Sequence, residues 1–151
     1  MDNQPIADIE KKLRYTSCII KQKGREILDQ YPITLPQFLA LQWLLEFGDM
    51  TIGELSNHMH LAYSTTTDLV DRLERNEVVQ RVKDEKDRRV VQIRLLDKGK
   101  SIIQEVIDKR QAHLEHVFRT FSSEHVELFR HLLNEMYDEM KCIQEEEMEI
   151  K

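Results

Sequence analysis

Apolar residues open the chain in a helical rhythm. Ile6, Ile9, Leu13, Thr16/Ser17, Ile20, Gly24, Ile27 and Tyr31 recur at spacings of three and four, which predicts one long helix over residues 6–31. Small residues at 16, 17 and 24 thin its stripe and would let another helix approach closely. Tyr31-Pro32 should end it, because the residue before proline disfavours helical backbone. A denser run follows: Phe38, Leu41, Trp43, Leu44, Leu45 and Phe47, read as the core helix of a small domain. Thr34 and Gln37 have the spacing of a capping box, and Pro36 suits a first turn. Gly48-Asp49 stops this helix. Thr51 and Glu54 repeat the box ahead of a short helix with Ile52, Leu55 and Met59 on its apolar face. His60-Leu61-Ala62-Tyr63 is a tight connection, and Ser64-Thr-Thr-Thr67 opens the next helix, which buries Leu69, Val70 and Leu73.

The rhythm then changes from helical to alternating. Residues 78–83 and 90–95 are β-branched runs, with Val91, Ile93 and Leu95 on one face and Val90, Gln92 and Arg94 on the other. The charged loop DEKDRR lies between them. Two helices close the chain. The first is marked by Ile102/Ile103, Val106/Ile107, Leu114, Val117/Phe118 and Phe121, the second by Val126, Phe129, Leu132/Leu133, Met136, Met140 and Ile143. Ser122-Ser123-Glu124 supplies the cap and first turn between them. Asp97 is expected to cap the first of the pair.

Helix, helix, short turn, helix, strand, charged loop and strand is the order of a winged helix-turn-helix. The fold class is therefore mainly α with a small β-hairpin wing. DNA geometry supplies the chemistry: the major groove admits one α-helix, whose N-terminal residues reach base edges. Short hydroxyl side chains allow close backbone approach, and arginines on a thin loop can enter a narrow minor groove.

Composition changes this picture in one place. A chain of 151 residues, 40% hydrophobic and 33% charged, suits a folded protein rather than a disordered one. Its net charge of −6 looks wrong for a DNA binder. Residues 62–94, however, hold eight basic and seven acidic side chains, a net of +1, so the acid is concentrated elsewhere, partly in the tail EEEMEIK. That tail is expected to be a frayed, solvated helix end. No stretch approaches the roughly 20 apolar residues of a membrane span. MDNQPIADIEKKLRY has no apolar signal core, so a cytoplasmic protein is expected, its two cysteines reduced. Neither a Gly-rich phosphate loop nor a Gly-x-Ser-x-Gly turn appears, so no enzymatic activity and no cofactor are expected.

The run LVDRLERNEVVQRVKDEKDRRVVQIRLLDKG, residues 69–99, carries a specific resemblance. With ITLPQFLALQWL at 33–44, it resembles the MarR family of bacterial transcription regulators, and the likeness extends over nearly the whole chain. The resemblance implies a winged helix-turn-helix at 34–97 and a helical dimerisation lobe built from 1–33 and 98–151. It implies a homodimer that reads double-stranded DNA, each protomer taking half of a roughly palindromic site. Repressor is the family habit, and a small-molecule effector would act on the DNA-reading heads. By position, Ser64, Thr65 and Thr67 would sit at the start of the recognition helix, and Arg72 and Arg75 near the phosphate backbone. Asp87 and Arg89 would form the wing's Asp-x-Arg pair, with Lys86 and Arg88 at its tip. Two departures stand out. Asp68 occupies a place where many relatives carry a basic or neutral residue; it either weakens phosphate contact or favours one base, since a carboxylate can accept from cytosine N4. Leu96 replaces the usual Thr of the family's Leu-Thr-x-x-Gly.

Each of these residues also has a plainer reading. Among Ser64–Thr67, at least one should be a simple N-cap, and two are read as DNA contacts. Lys86-Asp87-Arg88-Arg89 is otherwise a solvated hairpin tip. Cys18 is either a redox-sensing thiol or, as favoured here, a packed or half-buried one. His113-x-x-His116 and His58/His60 have metal-ligand spacing, but without further ligands they read as surface pairs and no metal is expected. Tyr15 and Tyr63 are candidates for an effector pocket, whereas Trp43 reads as core. The remaining alternative for the whole chain is a winged-helix protein-interaction module without specific DNA binding.

Overall fold

A computed structural model describes residues 3–150; Met1, Asp2 and Lys151, the outermost residues of the expected lobe segments, lie outside the described residues. The elements are α1 (Gln4–Leu28), α2 (Leu35–Phe47), β1 (Met50–Thr51), α3 (Ile52–Met59), α4 (Tyr63–Arg75), β2 (Val79–Lys83), β3 (Val91–Leu95), α5 (Asp97–Phe118) and α6 (Ser123–Ile150). They form two compact units, one running to Arg110 and the other starting at Gln111. The fold is mainly helical with one small antiparallel sheet, as the sequence pattern predicts.

Local chemistry accounts for the element ends. The α1 helix stops at Leu28, three residues before the periodicity does. Past Asp29 the bonds shorten to i→i−3 turns, Gln30 N–H donating to Ile27 O (3.2 Å) and Tyr31 N–H to Leu28 O (2.9 Å), just ahead of Pro32. Both capping boxes are present. Thr34 Oγ1 accepts from Gln37 N–H at 3.4 Å while Gln37 Oε1 accepts from Thr34 N–H at 3.0 Å. Thr51 and Glu54 make the same reciprocal pair at 3.1 and 3.2 Å. Each cap stabilises its helix by about 1 kcal/mol.

The sheet has the order β1-β3-β2. In it, β2 and β3 pair from Val79↔Leu95 to Lys83↔Val91, and β1 adds Met50↔Ile93 and Thr51↔Gln92. Only β1 was not expected from sequence: two residues behind a Gly48-Asp49 stop carry no alternation to detect. On β3, Ile93 and Leu95 are buried, but Val91 on the same face is exposed, because the hairpin has left the core there.

The core gathers Phe38 and Leu41 from α2, Leu55 from α3, Val70 and Leu73 from α4, Val79 and Ile93 from the sheet, and Ile103 and Val106 from α5. Ile27 and Leu28 at the end of α1 join it. Gly99 in the first turn of α5 fits under this core: a Cβ there would stand 2.6 Å from both Val78 O and Leu95 Cδ1. Asp97 is already helical, the first α-bond running from Lys100 N–H to Leu96 O (3.0 Å), so it is a first-turn acid rather than the expected cap. Ser122 does cap α6, its Oγ accepting from His125 N–H at 3.1 Å. The helix then continues through EEEMEI to Ile150, with every tail side chain exposed. No helix among the described residues is long and apolar enough to cross a membrane.

Candidate nucleic-acid interface

The turn before α4 is closed by backbone. His60 takes a left-handed conformation (φ 54°), and Leu61 N–H reaches back to Ser56 O at 3.1 Å. Ala62 is the residue at the helix boundary and has no side chain able to cap. Helix α4 therefore begins one residue before Ser64, and none of the four hydroxyls caps it, contrary to expectation. Thr66 and Thr67 instead donate back to the carbonyls of Ala62 and Tyr63, each at 3.0 Å. Thr66 is fully buried, whereas Ser64 and Thr65 are exposed and free of any partner among the described residues.

Helical periodicity sorts the rest of α4. Thr66, Leu69, Val70 and Leu73 line the buried face. Ser64, Asp68, Arg72 and Arg75, spaced by four, four and three, share the exposed one. Neither Arg72 nor Arg75 has a hydrogen bond or ion pair among the described residues. The outer face of the helix thus offers two short hydroxyls and two unpaired guanidinium groups.

A clamp fixes β2 against this helix. Arg81 Nη2 donates to Asp71 Oδ1 at 2.6 Å, Nη1 to Glu74 Oε1 at 2.8 Å, and its backbone N–H to Glu74 Oε2 at 2.8 Å. Partial burial works against the charge of Arg81, but the bonds to Asp71 and Glu74 outweigh it and hold its pKa above the usual arginine value. Sequence reasoning counted Arg81 only as a basic residue. The available signal was the i,i+3 spacing of Asp71 and Glu74, two carboxylates side by side on α4 ahead of a basic strand.

The wing loop is organised by Asp84, also missed. Its Oδ1 accepts from Lys86 N–H (2.7 Å) and Asp87 N–H (3.3 Å), and its Oδ2 from Gln92 Nε2 (3.1 Å). At the tip, Arg89 Nε and Nη2 donate to the two carboxylate oxygens of Asp87 at 3.1 and 3.2 Å, and Arg89 N–H adds a third bond at 3.1 Å. The Arg89 side chain, then the Arg89 N–H, hold the Asp87 carboxyl below its ordinary range. The Arg89 side chain nevertheless stays 92% exposed, so it is oriented without being covered. Lys86 and Arg88 stand exposed beside it. Near the base of the wing, Arg94 grips Asp49 at 2.9 and 3.0 Å, tying β3 to the segment before β1.

The other candidates are scattered over the fold. Tyr15 is exposed on α1 with the cations of Lys11 and Arg14 over its ring (5.8 and 5.2 Å), and Tyr63 is exposed in the first turn of α4. Cys18 is exposed rather than packed within the single chain, where α1 buries only Ile27 and Leu28. Cys142 is exposed as well. Trp43 is half-buried rather than core, stacked on Phe47 (5.5 Å) with the His58 ring tilted against it (4.8 Å), at the margin of the core. No group of three or more His, Cys, Asp or Glu among the described residues could hold a metal ion.

Known proteins match this arrangement. The profile of the MarR family matches residues 33–91. YsmB of Bacillus subtilis (strain 168), an uncharacterised HTH-type transcriptional regulator, is 61% identical over 136 residues, 90% of this chain and 93% of that protein. The HTH-type transcriptional repressor MdtR of the same organism is 29% identical over 110 residues, 73% of this chain and 71% of that protein. Among solved structures, a MarR family protein from Bacillus stearothermophilus superposes with a TM-score of 0.84 at 57% identity, covering 93% of this chain and 99% of that one. The chain belongs to the MarR family of winged helix-turn-helix transcriptional regulators.

Proposed function

We propose that the chain is a repressor that binds a roughly palindromic operator as a homodimer and is released by a small-molecule effector. The observation that carries this reading is the outer face of α4, where Ser64, Thr65, Arg72 and Arg75 are exposed and unpaired. In this reading α4 enters the major groove, with Ser64, Thr65 and Thr67 leading and Arg72 and Arg75 on phosphates. Arg89, oriented by Asp87, enters the minor groove, and Lys86 and Arg88 contact the flanking backbone. Residues 34–97 do the reading, and the segments 1–33 and 98–151 hold the two copies together. The dimer is supported by the exposed apolar side chains of α1 and α6, and the repressor role by the likeness to the repressor MdtR. Tyr15 and Tyr63 are the effector contacts in this scheme.

Fluorescence anisotropy against the duplex upstream of the chain's own gene tests the core of it. Binding should be on the order of a thousandfold tighter than to random duplex at matched salt. Equal affinity for both would favour a protein-interaction module and remove the operator from the mechanism. A small-molecule screen for release of that complex tests the effector arm, where the Tyr15→Ala, Tyr63→Ala double variant should raise the dose a hit needs.

A further inference from the structure

Three carboxylates project from α4, and the structure treats them unequally. Asp71 and Glu74 are both held by Arg81. Asp68 has neither a hydrogen bond nor an ion pair among the described residues and is exposed. Arg72 stands one turn further on, in the better of the two orientations for an i,i+4 ion pair, yet that pair is not made. A bare carboxylate is therefore left on the face that carries Ser64, Arg72 and Arg75. Facing phosphates, such a group only repels.

We propose that Asp68 reads a base, its carboxylate accepting a hydrogen bond from the N4 amino group of a cytosine in the major groove. The proposal rests on the reading of α4 as a major-groove helix. An ionised carboxylate is an acceptor only, so it needs a donor. The major groove offers two, cytosine N4 and adenine N6. Adenine sets its N7 acceptor beside N6 on the same base, which would repel a carboxylate, whereas cytosine presents its amino group without an acceptor of its own. Position agrees as well: Asp68 lies in the second turn of α4, within the N-terminal half that reaches base edges in helix-turn-helix complexes. The same charge explains how selectivity arises on a surface that is only weakly basic. On a wrong site the carboxylate repels, and only where cytosine meets it does it become an attraction.

Selection from a randomised duplex pool, run in parallel with the wild-type chain, Asp68→Ala and Asp68→Asn, tests this. The wild type should enrich cytosine at one position in each half-site. Asp68→Ala should lose preference at that position alone, binding the selected site roughly tenfold more weakly while binding random duplex more tightly. Asp68→Asn should move the preference at that position towards adenine, the base that an amide side chain pairs with. An unchanged profile in both variants would overturn the role of Asp68 and leave the operator reading intact. No enriched sequence from the wild type would overturn both. Since Asp68 is exposed, melting curves of the two variants should match the wild type, which separates base reading from folding.

Discussion

Helix α4 with its wing, and helix α6, handle their side chains in opposite ways. Around α4 the apolar face is buried, two of three carboxylates are clamped, and the tip arginine is held by an aspartate. Along α6 no residue is buried: Leu128, Phe129, Leu132, Leu133, Tyr137, Met140 and Ile143 are all exposed. One region is complete within a single chain except for the ligand-facing groups. The other has the amphipathic pattern of a packed helix without its packing surface, and an apolar stripe of that length points to a protein partner. The contrast teaches that α4 and its wing complete their packing within one chain, whereas α6 leaves its apolar side uncovered in the single chain.

The sharpest way to break the comparison is to charge the α6 stripe. In the proposed homodimer, Leu132→Asp would remove about 2 kcal/mol of apolar burial from each copy, and both copies carry the change. The dimer dissociation constant should rise roughly a thousandfold, seen by light scattering as a monomer at micromolar concentration. A persistent dimer would mean that the exposed stripe is not the interface. The corresponding blow to the other region is Gly99→Ala. Its Cβ meets the Val78 carbonyl, which cannot swing aside as a side-chain tip can. Stability should fall by about 1–3 kcal/mol, read as a lower melting temperature, with no change of oligomeric state at moderate temperature.

Arg81→Ala probes whether the clamp matters beyond stability. The pairs are partly exposed, so their loss should cost no more than about 1 kcal/mol in the melting curve. DNA affinity should fall further than that, because β2 and α4 are no longer fixed to each other. The slope of affinity against salt should stay unchanged, since Arg81 is engaged by carboxylates rather than phosphates. Arg72→Ala should by contrast reduce that slope by about one. A changed slope for Arg81→Ala would make it a direct phosphate contact. Arg81→Lys should rescue poorly, because one ammonium cannot span both carboxylates as the guanidinium fork does.

What was legible in the sequence follows the range of each interaction. Both capping boxes were readable because they are closed by residues three apart. The recognition helix and wing were readable because their pattern is dense and contiguous over 69–99. Interactions closed across the fold were not. Nothing near Asp49 in the chain says that Arg94 will be beside it, and the paired carboxylates Asp71 and Glu74 hint at a cation without saying which one. The start of α4 was misplaced because the hydroxyl run looked like a cap, while the boundary fell on Ala62. The turn after α4 was hidden for another reason: its left-handed residue is Glu77 (φ 60°), a type that gives no turn signal, and the loop is closed by Val78 N–H to Leu73 O at 3.2 Å. Of the interface, residue types and order were readable. Which groups are paired and which are free is settled only by the folded structure, and that distinction is what separates Asp68 from Asp71 and Glu74.

The smallest effect concerns the wing tip, where the comparison can be refined by removing a negative charge. If Asp87 merely sat near DNA, Asp87→Asn should strengthen binding by relieving repulsion. If its role is to hold Arg89, the same change should weaken binding, because an amide offers one acceptor oxygen where the carboxylate offers two. The second outcome is expected, a loss of a fewfold near neutral pH with an unchanged melting temperature. Arg89→Ala should give a larger loss in the same direction. The pH dependence has a definite sign. The carboxyl pKa is lowered in the folded chain, so the pairing contributes fully above the ordinary aspartate value and is lost as pH falls through the depressed one. Wing-tip order, followed by the amide resonance of Arg89, should therefore be flat across neutral pH and weaken only below about pH 4. A transition nearer neutrality would assign the orientation of Arg89 to some group other than Asp87.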